Sequence, residues 1–374
     1  MNIRKSHLAA AVGAALSLGG TAVYAQAPTA PTVQVYGQVS RALMFADDGT
    51  QSKWFHVDNE SSGTRFGFTG NAQAMPGLRA GFRIELDLQS NESQLVNFGA
   101  TNPNTSFSGV ASGAGFNERH MDAWLEGGWG RVNIGQGDGA ANGASESDLS
   151  GTGMANGIGV ADLGGGFQYR NAAGALSGLT IGQSINQQDF ESRYDRLMYV
   201  TPSFSGFRGQ VSWGQNANVD IREFGVFYGA KLGGLGDLAA ALGWSEQGAV
   251  TPGGTKDETM GGSISWLHGS GINATFSYTM RDNPAVAGAA VRESTWTYFK
   301  VGYKFGPHAI GVDYGMGEDF AAVGDEATVM GIGYVWNPVR WLELYAAYKI
   351  HSADRATFSL EDVTIGTLGT RVRF

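Results

Sequence analysis

The side chains able to do covalent chemistry are few and poorly spaced for it. Cysteine is absent, so the chain has no thiol nucleophile, disulfide or cysteine-held metal. The six histidines, His7, His56, His120, His268, His308 and His351, show no HExxH spacing. A phosphate-loop lysine motif and a GxSxG elbow are both missing. His120 and His268 are the loose candidates for a catalytic base, and His120 is better read as a hydrogen-bonding wall residue, so no enzyme is expected. Fixed charge is what the sequence offers instead. Arg65, Arg79, Arg83, Arg131, Arg196, Arg208, Lys231, Lys300 and Lys349 fall on the polar side of alternating segments. Asp138, Glu146, Asp148 and Asp162 lie in a long stretch rich in small residues. Groups of this kind act by their field, on water and ions, and call for no cofactor and no metal.

The segments that must position these charges read as β-strands of period two. In Ile272–Arg281, Ile272, Ala274, Phe276, Tyr278 and Met280 form one face, and Asn273, Thr275, Ser277, Thr279 and Arg281 the other. Leu78–Gln89, Phe207–Trp213, Arg222–Leu232 and Leu342–Ile350 alternate in the same way. A soluble sandwich would bury the apolar face between sheets, whereas a transmembrane antiparallel barrel turns it to lipid and keeps the polar face inside. Segment lengths of about 9–12 residues match a tilted strand across a bilayer. Sixteen strands are expected, near 33–45, 64–70, 78–89, 118–126, 131–137, 194–201, 207–214, 221–231, 237–246, 258–268, 271–281, 295–305, 308–315, 327–336, 341–351 and 363–374. From Asn71 onward short connections alternate with long ones, as short turns on one rim and long loops on the other require. The even count puts both chain ends on the short-turn, periplasmic rim.

Composition agrees with this all-β reading. Of 374 residues 58 are glycine, only 16% are charged and 11% are aromatic. Glycines within strands thin or curve the wall. Trp129, Trp213, Tyr303, Phe305, Trp336, Trp341 and Phe374 cluster near strand ends and suit interfacial girdles. Residues 1–25 read as a cleaved signal peptide: Arg4 and Lys5 precede a short apolar core, and Val23-Tyr24-Ala25 offers a peptidase site. Removing it takes the formal charge from −9 to −11 and leaves 26–374 as one barrel. An exported chain without cysteine fits a bacterial envelope, and no nucleic-acid partner is expected.

Several short motifs, in order, resemble the trimeric, 16-stranded general diffusion porins of Gram-negative bacteria. Val33–Val39 (VQVYGQV) resembles that family's first strand, and Ser61–Gly70 (SSGTRFGFTG) its Ser-Arg-aliphatic-Gly-Phe-x-Gly second strand. Glu118–Gly130 and Arg131–Gln136 resemble its fourth and fifth strands, and Tyr199–Phe207 its Tyr-x-x-Pro-x-Phe-x-Gly-Phe turn. Phe374 matches the terminal phenylalanine read by the family's assembly machinery. Thr69, Met198 and Gln136 stand where the family often has a basic residue, which implies a thinner basic wall. The resemblance implies a homotrimer among outer-membrane lipids and lipopolysaccharide, passing small hydrophilic solutes and ions.

It also implies that the long stretch 137–193 is a third loop folded into the lumen. Within it, 167–170 and 179–182 read as short strands, either a hairpin inside the loop or two further wall strands, giving 18. The basic wall of the constriction is then Arg65, Arg83, Arg79 and Arg196, facing Asp138, Glu146, Asp148 and Asp162 on the loop. Opposed charge rows of this kind set a transverse field, focused by the low-dielectric wall. A substrate-selective channel for sugars, phosphate or organic acids is the alternative, since Trp124, Trp296, Tyr298 and Tyr345 face inward by parity. A structural barrel with a blocked lumen is a third reading. Asp47-Asp48 and Asp58-Asn59-Glu60 are candidates for divalent ions bridging lipopolysaccharide.

Overall fold

Side-chain alternation decides the architecture, because the apolar face of each strand points out of the molecule and the polar face points in. On the outer surface Leu242 is 69% exposed and Val301 62%, while Ser277 and Thr279, on inward faces, are fully buried. That is the inverse of a soluble sheet and the pattern of a barrel solvated by hydrocarbon. The computed structural model describes residues 31–99, 117–216, 218–248, 256–283 and 292–374. The expected leader, 1–25, lies outside the described residues.

Among the described residues sixteen antiparallel strands close the wall. They are β1 (Thr32–Asp47), β2 (Arg65–Met75), β3 (Leu78–Asp87), β4 (Asn117–Gly127), β5 (Gly130–Asp138), β6 (Arg193–Val200), β7 (Phe207–Asn216) and β8 (Val219–Lys231). Then come β9 (Asp237–Gln247), β10 (Asp257–Leu267), β11 (Ile272–Asn283), β12 (Arg292–Phe305), β13 (His308–Glu318), β14 (Glu326–Val339), β15 (Leu342–Arg355) and β16 (Val363–Arg373). Each strand pairs with its sequence neighbours, and β1 closes on β16 from Gln38↔Arg373 to Asp47↔Thr364. Closure leaves no open edge in lipid, where an unpaired backbone group is costly. The seam is sealed where Gly37 N–H donates to Phe374 O at 3.0 Å and Phe374 N–H donates to Gly37 O at 3.0 Å. A Cβ on Gly37 would lie 2.6 Å from the Phe374 ring and 2.7 Å from the Arg65 carbonyl, so only glycine fits the seam.

Gln168–Arg170 and Leu176–Thr180 pair with each other and with no wall strand, so the hairpin reading holds and the 18-stranded alternative does not. Two features extend beyond the alternation pattern. Ser52–Asp58 forms an extra strand along the outer half of β1, from Arg41↔Asp58 to Asp47↔Ser52. β2 runs on past Gly70 to Met75, because Asn71–Gln73 continue the ladder with β3 although they carry no apolar stripe.

The loop 139–192 lies inside the barrel. Its backbone is held by the inward hydroxyls of the wall: Ala140 N–H donates to Ser212 Oγ at 2.8 Å, Ser147 N–H to Ser263 Oγ at 2.8 Å and Leu149 N–H to Ser265 Oγ at 2.9 Å. Ser263 Oγ donates to Ala144 O and Ser277 Oγ to Ser145 O, both at 2.7 Å. Small residues at 139–145 bring the loop backbone close enough for these bonds. Further on, Met154, Ile158, Val160, Leu163 and Phe167 pack on Trp296, Tyr298, Val335 and Tyr345, forming an apolar core between loop and wall. Large side chains buried in this way stabilise by roughly 1.5–3 kcal/mol each. The loop therefore covers the inner face from β7 through β16 to the outer half of β1 and leaves the lumen open along β2–β6.

Candidate pore constriction

The uncovered wall carries a cluster of guanidinium groups around one carboxylate. Glu85 on β3 accepts from Arg83 Nη2 at 2.8 Å, Arg119 Nε at 2.9 Å and Tyr36 OH at 2.8 Å, with Arg65 Nη1 at 3.7 Å. Arg119 also donates to Asp87 at 3.1 Å, Arg83 Nε to Tyr36 OH at 2.9 Å and Arg65 Nη2 to Ser62 Oγ at 2.5 Å. Arg193, at the start of β6, reaches Asp138 Oδ1 at 3.5 Å. Three arginines thus surround Glu85 and Asp87, with Arg193 beside them on Asp138, and the wall keeps a net positive face.

The sequence-predicted residues divide by place. Arg65 and Arg83 belong to this cluster. Arg196 is buried in the same ladder row as Arg83, through Asp122 and Gly135, donating to Asp138 O at 2.6 Å, Gly135 O at 2.7 Å and Asp122 Oδ2 at 2.9 Å, so it braces β4–β6. Arg79 sits four residues, about 13 Å along the strand, from Arg83 toward the short-turn rim and bonds Asn71 Oδ1 at 2.8 Å. Asp138 closes β5 and stands on the basic side, beside Arg193 and 3.8 Å from His120 Nε2.

The other acids are on the loop. Asp148 is the counter-ion of the fully buried Lys300, at 2.6 Å. Burial works against its ionisation, but the Lys300 ammonium outweighs this and holds the carboxyl below its usual range. Asp148 is a peg for the loop and presents little free charge to the lumen. Glu146 faces lumen water, with Gln187 Nε2 3.2 Å from Oε1. The neighbouring Asp189 carboxylate, followed by enclosure in protein, pushes Glu146 up to about 8. Burial pushes Asp162 up to about 6, with Lys349 partly offsetting it. Asp189, Asp162 and Asp138 all disfavour a charge on Glu146, so the loop edge is a crowded acidic region distinct from the arginine cluster.

Arg119, Arg193 and Asp189 escape a strict parity reading. Arg119 is an instructive case. Glu85 pairs with His120 and Leu86 with Glu118, so a β-bulge leaves Arg119 unpaired and swings it inward, against the alternation of Met121 and Ala123. Trp296, Tyr298 and Tyr345 face inward, as parity requires, and the loop packs on them and seals them from the lumen. Trp124 alone of the four lines the open cavity. In the acidic clusters proposed for cations, Asp48 accepts from Arg170 Nε at 2.7 Å, and Asp58 from Arg41 Nη1 at 3.3 Å and Thr64 N–H at 2.8 Å. His268 shares a hydrogen bond with Ser270 within its own turn.

The sixteen-stranded barrel and the inward third loop can be set beside known families. A family model described as Gram-negative porin matches residues 9–355. The chain belongs to the Gram-negative porin family. Among solved structures, an anion-selective porin from Comamonas acidovorans is 20% identical with a TM-score of 0.65, covering 92% of this chain and 100% of that one. OmpT of Vibrio cholerae in its trimer form is 17% identical, with a TM-score of 0.59 over 92% of this chain and 100% of that one. The outer membrane channel DcaP of Acinetobacter baumannii is 13% identical, with a TM-score of 0.57 over 96% of this chain and 100% of that one. At these identities the likeness is one of fold. No curated protein sequence matches the chain. As a porin, the protein is a diffusion channel of the bacterial outer membrane.

Proposed function

We propose that this porin is a general pore for small hydrophilic solutes and ions, narrowed where the loop edge at Glu146, Asp162 and Asp189 faces Arg65, Arg83, Arg119 and Arg193. The observation that carries this reading is the position of the loop, hydrogen-bonded along β7–β12 and absent from β2–β6. Solutes then pass between unlike charges, in a field that orders water and orients dipoles. Arg79 serves the periplasmic, short-turn side of that narrowing, Arg196 braces the wall beside it, and Asp148 fixes the loop. The chain works as a homotrimer among outer-membrane lipids and lipopolysaccharide, entering the envelope through a cleaved leader at 1–25, with Phe374 displayed at the seam as its assembly signal. The burial of three of the four inward aromatics removes the slide that a sugar channel would use. Planar-bilayer recording tests the proposal: conductance proportional to salt supports a general pore, and conductance that saturates with a single sugar or phosphate contradicts it.

A further inference from the structure

The periplasmic half of the lumen is a cavity of about 930 Å³ whose floor and sides have a definite chemistry. On β6, Met198 and Val200 give it an apolar floor. Arg131 on β5 stands beside Val200, and Arg208 on β7 stands two residues from Gln210, which pairs with Val200 on the other side. The two arginines are two strands and two residues apart, about 12 Å between backbones. Each guanidinium is held against an aromatic ring: Arg131 Cζ lies 4.2 Å from the Trp124 centroid and Arg208 Cζ 5.3 Å from that of Phe227. Trp124 is laid flat on the wall because position 81 is glycine; a Cβ there would come within 2.3 Å of the indole.

The charges in this cavity are unequally matched. Asp122 is taken by Arg196 and Glu126 by Arg131, through Nε at 2.8 Å and through Nη2. Arg208 has no carboxylate or hydrogen-bond partner among the described residues. An unpaired guanidinium exposed to the lumen attracts an anion, and its edge N–H groups match a carboxylate bidentately. Beside it, the apolar floor and the flat face of the neutralised Arg131–Trp124 stack suit an aromatic ring more than water.

We propose that this vestibule is a binding subsite for planar aromatic carboxylates, with the carboxylate on Arg208 and the ring over Met198 and Val200 against Arg131. The proposal rests on the reading of the lumen as a solute path, and it names a class of solute that path would retain. The test is single-channel recording of the intact protein in planar bilayers with benzoate added to the periplasmic side, and acetate and benzyl alcohol as controls. Benzoate is expected to reduce the current saturably, while acetate and benzyl alcohol at equal concentration do not. Arg208→Ala is expected to weaken the block roughly tenfold, the loss of one charge-assisted contact, and Arg208→Lys to restore part of it. Trp124→Ala is expected to abolish the preference for benzoate over acetate. Equal effects of benzoate and acetate on the wild-type channel, or a block unchanged in Arg208→Ala, would overturn the subsite. A channel that conducts normally but ignores benzoate removes the subsite and leaves the general pore intact; a protein that does not conduct removes both.

Discussion

At the scale of single residues, ion preference follows from which charges remain free. Arg65 and Arg83 contribute to a positive face that Glu85 only partly neutralises. Replacing both by alanine is expected to shift permeability toward cations by roughly tenfold, the low end of local ion enrichment in charged clefts. Reversal potentials in a salt gradient measure this, and an unchanged potential would remove both residues from the constriction. Glu146 gives a pH dependence of definite sign. Its carboxyl is pushed up to about 8, chiefly by Asp189, so it is mostly protonated at pH 7 and gains its charge as pH rises through 8. Cation preference is therefore expected to increase between pH 7 and 9, and Glu146→Gln to flatten that rise. The sequence revealed Arg65 and Arg83 because strict alternation holds along β2 and β3. It concealed Arg119 because a bulge changes which face a residue takes, and bulges leave no mark in the apolar pattern.

At the scale of elements, the wall was far more legible than the loop. Hydrocarbon outside and water inside impose alternation on every strand, and strand positions could be read from it to within a few residues. Ser52–Asp58 and the tail of β2 escaped because they pair with neighbours without an apolar stripe to announce it. The loop obeys no such rule. Its path is set by single pegs such as Lys300–Asp148 and by serines whose roles appear only once the loop is in place. Lys300→Met leaves Asp148 enclosed and unpaired, a loss of about 3 kcal/mol by the usual cost of breaking a buried pair. The expected result is a lower thermal midpoint of the detergent-solubilised barrel and faster proteolytic cleavage within 139–192. A variant as stable and as protected as wild type would show that Lys300 does not anchor the loop.

At the scale of the whole molecule, the outward surface has an unbalanced rung at its outer rim. Glu246, Glu258, Asp282 and Glu293 occupy directly opposed positions on β9–β12, as do Glu318, Glu326 and Asp354 on β13–β15. Arg222 and Lys256 relieve only Glu246. Like charges opposite one another across a ladder repel, and salt screens them. The thermal midpoint of the barrel in detergent is therefore expected to rise with ionic strength, and a midpoint that falls with salt would show that these carboxylates are compensated in another way.

On the proposed reading, water and ions cross between an arginine wall and an acidic loop inside a closed barrel. Single-channel recording of the purified protein in a planar lipid bilayer addresses it directly. Stepwise openings are expected, with conductance proportional to salt and with reversal potentials that move toward cation preference in the Arg65→Ala, Arg83→Ala double variant. A folded protein that inserts into the bilayer and passes no current would contradict the account.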